Sequence, residues 1–108
     1  MATIGVEPGV CRALDSPISR DDAERLASAV KVLADPARLQ ILSILKTLPG
    51  AAACAGEFVR PLRLSASTVS HHLKVLHEAG LIDRERHGPW IYYRFPPERL
   101  NELCRAIL

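Results

Sequence analysis

The strongest hydrophobic period in the chain runs from Leu64 to Ile82, L-S-A-S-T-V-S-H-H-L-K-V-L-H-E-A-G-L-I. Val69, Leu73 and Leu76 fall at i, i+4 and i+7, the spacing of one buried helical stripe. Ser65 offers a hydroxyl to cap the helix, and Gly80 stops it just past its last turn. At about 100° per residue the opposite face collects Ser67, Ser70, His71 and Lys74. That face is short, polar and free of carboxylates until Glu78. A helix with an anchored apolar back and such a front can enter the major groove of DNA. The same pattern also describes an ordinary solvated surface helix, so the flanking segments matter.

Upstream, Ser19 caps a predicted helix whose apolar stripe is Ala23, Leu26, Ala27, Val30 and Leu33. Asp21 and Asp22 sit in its first turn, where carboxylates favour the positive helix end. Asp35-Pro36 starts a second helix to about Leu48, with Leu39, Leu42 and Leu45 expected to be buried and Ile41 and Ile44 beside them. Pro49-Gly50 breaks it. A short helix follows over about residues 55–62, with Cys54 at its start. The turn at Arg63-Leu64 then leads into the Ser65 helix, giving a helix-turn-helix.

After Gly80 the period changes from 3.6 to 2. Residues 81–86 and 90–95 read as two strands joined by His87-Gly88-Pro89, a hairpin following the reading helix as a wing. Arg84, Arg86 and Arg94 on it can reach phosphates. Residues 98–108 form a last helix with Leu100, Leu103, Cys104 and Ile107 on one side. That stripe has little of its own domain left to cover, which predicts packing on a second subunit. The fold class is therefore mainly α with a β-hairpin wing, a winged helix-turn-helix. Residues 1–18, which hold Gly5, Pro8, Gly9 and Pro17, read as an extended arm. Residues 19–108 read as one DNA-binding and dimerisation domain.

Charge sharpens this. Residues 1–35 carry four basic and six acidic side chains, whereas residues 36–108 carry ten basic and six acidic. A basic second half suits a phosphate-facing surface. No apolar run approaches the roughly 18 residues of a membrane span. The start lacks a basic segment followed by an apolar one, so a cytoplasmic location is expected. Enzymatic chemistry is not expected. Ser70 and His71 are neighbours on a helix, so the imidazole cannot serve as that hydroxyl's base. His71, His72 and His77 lack the i, i+4 spacing of helical zinc ligands. The three cysteines, Cys11, Cys54 and Cys104, are widely separated and odd in number, which argues against a disulfide framework.

Two strings carry a resemblance. They are Asp35-Pro36-Ala37-Arg38-Leu39-x-Ile41-Leu42 and Ser65-x-Ser67-Thr68-Val69-Ser70-His71-His72-Leu73-Lys74-Val75-Leu76-x-x-Ala79-Gly80-Leu81-Ile82. Together with the wing ending Trp90-Ile91-Tyr92-Tyr93 they closely resemble the ArsR/SmtB family of metal- and metalloid-sensing repressors, from about Ala23 to Cys104. The resemblance implies a homodimer built on the first and last helices, bound to double-stranded operator DNA without inducer and released with it. By position it implies that Ser67, Thr68, Ser70 and His71 face DNA, with Lys74 and the wing arginines on the backbone. His72 is expected to pack or cap at the flank of the core. The chain departs from the family pattern at Ala66, where many members have glutamine, and at Arg63, where the turn usually has glycine.

The family's C-terminal zinc site needs His and Asp that the last helix lacks, and the E-L-C-x-C cluster of other members is absent. The chain instead resembles arsenic sensors that pair cysteines on the N-terminal arm with one near the short helix of the other subunit. Cys11 and Cys54 match that arrangement; the third position falls to Cys104, whose place on the apolar stripe equally fits a buried structural cysteine, or to a water, hydroxide or cellular thiol. Arsenite and antimonite are soft and prefer thiolates. As(III) or Sb(III) is thus the expected inducer. A Cd(II), Pb(II), Zn(II) or redox-responsive repressor of the same fold stays open, as does a winged-helix module that binds protein.

Overall fold

A computed structural model describes residues 17–107, apart from the side chains of Leu100, Leu103, Cys104, Ala106 and Ile107. Cys11 and nearly all of the expected arm lie outside the described residues. So do the Cys104 side chain and the apolar stripe of the last helix.

The order of elements is α1 (Arg20–Leu33), α2 (Pro36–Thr47), a 3-10 turn (Pro49–Ala51), β1 (Ala52–Cys54), α3 (Gly56–Leu62), α4 (Ala66–Glu78), β2 (Asp83–His87), β3 (Trp90–Arg94) and α5 (Pro97–Ile107). The starts of three helices are set by the capping residues the sequence suggests. Ser19 Oγ accepts the Asp22 N–H at 3.1 Å. The Asp35 carboxylate accepts from Ala37 N at 2.9 Å and Arg38 N at 3.3 Å. Ser65 Oγ accepts from Thr68 N at 3.2 Å. Each bond satisfies a donor that the helix leaves orphaned.

One difference from the sequence expectation is β1. The hairpin is not alone: Ala52, Ala53 and Cys54 pair antiparallel with Arg94, Tyr93 and Tyr92, so the sheet has the order β1-β3-β2. The segment is Ala-Ala-Cys, too short to show a period, and only its partner strand reveals it. Cys54 accordingly closes a strand and directly precedes Ala55, the N-cap of α3.

The core is made by Ile41, Leu42 and Leu45 of α2, Ala53 of β1, Phe58 of α3, and Val69, Leu73 and Leu76 of α4, closed by Leu81, Ile82 and Phe95. The three α4 residues are fully buried, each contributing about 2 kcal/mol of hydrophobic stabilisation. Leu39 is a correction. It was expected on the buried side and is 51% exposed. At about 100° per residue it stands about 160° around α2 from Ile41, so the two cannot share a face. Ile44, expected beside the stripe, packs partly buried against the core.

α1 behaves differently from α2, α3 and α4, which each bury at least one residue. It contributes no fully buried residue. Val32 and Leu33 lean on the core, while Ala27 is exposed and Val30 is 43% exposed. Two of the five residues of the α1 stripe, Ala27 and Val30, are therefore exposed in the single subunit.

Candidate nucleic-acid interface

The turn between α3 and α4 sets how the second helix leaves the first. Arg63 has φ 55° and ψ 41°, in the left-handed region. Its N–H bonds to Arg60 O at 3.2 Å, and that of Leu64 to Val59 O at 3.3 Å. This is the paired closure of a Schellman motif, normally built on glycine. α4 ends the same way on Gly80 (φ 76°), with Gly80 N–H to His77 O at 2.9 Å and Leu81 N–H to Leu76 O at 3.0 Å. The reading helix is thus bracketed by two like turns, one of them on a residue for which the conformation is strained.

Between these turns α4 buries Val69, Leu73 and Leu76 and leaves Ser67, Ser70, His71 and Lys74 exposed. The polar front inferred from periodicity is the front in the structure. Thr68 is half-buried in the first turn, and its hydroxyl accepts from Ser65 Oγ at 2.8 Å. Ser65 Oγ also lies 3.2 Å from Ser67 Oγ, so three hydroxyls gather at the helix start. Lys74 is 3.8 Å from Glu78 in an exposed i, i+4 pair, an attachment weak enough to be exchanged for a phosphate.

His72 does not join this front. It is half-buried, and its Nδ1 accepts from Arg38 Nε at 3.2 Å. Arg38 Nη1 also donates to Val32 O at 3.1 Å. One guanidinium therefore ties the middle of α4 to the end of α1, from a position inside the Asp35–Leu39 motif. The sequence pattern marks the motif but not this contact.

The wing presents two different faces. Residues paired across strands point to the same side of a sheet. Arg84 pairs with Tyr93, and Arg86 with Ile91. Tyr93 packs on the core, so the two arginines extend the core-side face outward along the hairpin, and both are exposed. Arg94, also expected to be available, lies on the other face and donates from Nε to Gly50 O at 3.2 Å.

The outer face carries the one cysteine whose side chain is described. Cys54 is half-buried and unbonded to other sulfur, and pairs with Tyr92. Its N–H donates to the Glu57 carboxylate at 2.7 Å. Negative charge on the Cys54 sulfur, together with the hydrogen bond the Tyr92 hydroxyl donates to it, pushes the Tyr92 phenol above its ordinary pKa, with burial and Glu57 adding to the shift. Cys54 opens on a hollow bounded by Pro49, Glu57, Trp90 and Tyr92. Tyr92 and Glu57 were not singled out as its neighbours in the sequence, because only the β1–β3 register brings Tyr92 to it. Among the described residues no three His, Cys, Asp or Glu side chains form a group that could hold a metal ion. No helix among them is long and apolar enough to cross a membrane.

Comparison with known proteins decides the family. Residues 35–84 match the model of the bacterial regulatory protein arsR family. Over 85 residues the chain is 40% identical to the HTH-type transcriptional regulator YgaV of Escherichia coli, covering 79% of this chain and 84% of that one. The chain belongs to the arsR family.

As a member it is a DNA-binding transcriptional repressor and not an enzyme, and the resemblance read from the two sequence strings holds. The arsenical resistance operon repressor of Bacillus subtilis is 36% identical over 79 residues, covering 68% of this chain and 73% of that protein. Among solved structures, a homodimeric winged helix-turn-helix domain from Mycobacterium bovis, described as a possible ArsR-family regulator, superposes with a TM-score of 0.66 at 27% identity. The match covers 82% of each chain.

Proposed function

We propose that this chain is a homodimeric repressor that holds operator DNA through α4 and the wing and releases it when As(III) or Sb(III) binds cysteine thiolates. The observation that carries the DNA reading is the exposed Ser67-Ser70-His71-Lys74 front over a fully buried back. In this reading Ser67, Thr68, Ser70 and His71 meet base edges and nearby phosphates. Lys74, Arg84 and Arg86 take backbone phosphates. Pairing uses α1 and α5, which fits an α1 that buries nothing fully in its own subunit and a structural neighbour described as homodimeric. Two such subunits span half-sites about 34 Å apart.

For the inducer, the support is the half-buried Cys54 thiol facing an open hollow and the arsenical resistance named for the Bacillus subtilis relative. Cys11 joins it from the arm, and Cys104 is the thiol left for a third position. Three soft thiolates suit As(III) and Sb(III) better than Zn(II), for which imidazole is an equally good donor. A coupling of about 1–3 kcal/mol between inducer and operator suffices for a switch. The repressor acts in the cytoplasm, where its DNA lies.

The test uses the full chain and an operator duplex selected from a random pool. Cys11→Ser and Cys54→Ser keep operator affinity but lose release by arsenite. Arsenic absorption spectroscopy on the wild-type complex reads sulfur neighbours alone. Normal release by either variant removes that cysteine from the site. Release by Cd(II), Pb(II) or Zn(II) but not by arsenite replaces the inducer.

A further inference from the structure

Arg99, in the first turns of α5, reaches two elements at once. Its Nη1 donates to Gly80 O at 2.6 Å, and its Nη2 donates to Asp83 Oδ1 at 2.9 Å. Gly80 is the left-handed residue that ends α4, and Asp83 is the first residue of β2. Between them Leu81 and Ile82 are buried, so the intervening chain is anchored from below while the guanidinium staples it from above. The Arg99 side chain is 32% exposed and that of Asp83 49%. An ion pair this accessible adds little to stability. Its geometry is another matter. The planar fork of arginine holds two acceptors at a fixed separation, which a lysine cannot do.

We propose that Arg99 is a positioning residue for operator binding: by holding the Gly80 carbonyl and the Asp83 carboxylate together it sets the angle between the reading helix and the wing. The inference rests on the DNA reading above and adds a residue that touches no DNA. Helix and wing must engage neighbouring parts of one half-site, and a small error in their relative pose forfeits the wing contacts even when the helix still docks. Arg99 also sits on α5, the helix proposed for pairing, so it joins the dimer contact to both reading elements. Arg38 does the corresponding work on the other side of α4, through His72.

The experiment measures affinity of the full chain for a duplex of about 30 base pairs, enough for two half-sites, selected from a random pool by the wild type. Measurements are made at a temperature where circular dichroism shows every variant fully folded. Arg99→Met weakens binding at least tenfold and Arg99→Lys nearly as much. The dependence of log affinity on log salt becomes shallower, as it does in an Arg84→Ala/Arg86→Ala double variant, because the wing arginines leave their phosphates. Hydroxyl-radical footprints of Arg99→Met lose protection at the wing flank and keep it at the groove read by α4. Asp83→Asn, which leaves the Gly80 bond in place, gives a milder version of the same footprint. A change in stability alone would move none of these readouts.

Unchanged affinity and footprint in Arg99→Met overturns the proposal. A slope reduced by about one while protection at the wing flank is kept also overturns it, since Arg99 would then be a phosphate contact itself. Lys74→Ala, expected to lower that slope, separates the two readings: if it does so while Arg99→Met has no effect, only this inference falls. A wild-type chain that enriches no duplex removes the DNA reading and this inference together.

Discussion

At position 63 an arginine occupies a backbone conformation that suits glycine. With φ 55° the Cβ crowds the neighbouring carbonyl, at a cost of about 1–2 kcal/mol. Glycine would relieve that but lose more entropy on folding, by about 0.5–1 kcal/mol. Arg63→Gly is therefore expected to raise the unfolding free energy by about 0.5–1 kcal/mol, read from urea melts. Gly80→Ala is the mirror experiment. A Cβ built there meets nothing within 4 Å, so its loss of about 1 kcal/mol is backbone strain with no clash added. Equal stability in all three proteins would show that neither turn carries strain. The sequence places an arginine at this turn, and the left-handed conformation is present regardless, because the Schellman bonds and the packed helices on either side dictate it.

Helix by helix, the caps explain the boundaries, and Asp35 is the one with a pH signature. Partial burial alone would raise its pKa. The N–H donors of Arg38 and Ala37, then the charges of His72 and Arg38, outweigh that and leave it below the usual carboxylate value. A folded-state pKa below the unfolded one means stability that is fully present above the unfolded value and is lost as pH falls through the folded one. Asp35→Ala should thus cost about 1 kcal/mol near neutral pH. The gap between the two proteins should close below about pH 4. Denaturant melts across that range check it, and a gap that persists at about pH 2 would assign the loss to packing.

The elements themselves were legible to very different degrees. α4 was readable because its stripe, its serine cap and its glycine stop agree, and the serine front lay where the spacing put it. β1 was not, since three small residues have no period of their own and exist as a strand only against β3. That same pairing is what brings Tyr92 to Cys54, so the surroundings of the cysteine could not be read either. Leu39 is an apolar position that the spacing assigns to a core that does not reach it. Hydrophobic spacing tells which residues share a face but not what the face meets.

For the molecule as a whole, the unmet faces decide the assembly. Val30 and Ile18 are 43% and 40% exposed, and α1 supplies nothing fully buried to its own domain. In the dimer proposed here Val30 lies in the contact. Val30→Glu should shift the chain to monomer in sedimentation equilibrium and weaken operator binding by more than tenfold, while leaving circular dichroism unchanged. A Val30→Glu chain that stays paired would move the contact away from α1.

Among the described residues all of the fully buried side chains come from residues 41 to 96, so the α2–β3 unit has an interior of its own that α1 only borders, through Val32 and Leu33. Each half can then wait, correctly shaped, until it meets another. In dilute conditions the filling of a two-half-site operator climbs with the square of the number of chains present. In the dimer proposed here, a twofold fall in production therefore lowers operator occupancy about fourfold. Scarcity alone, before any inducer arrives, makes the response steep.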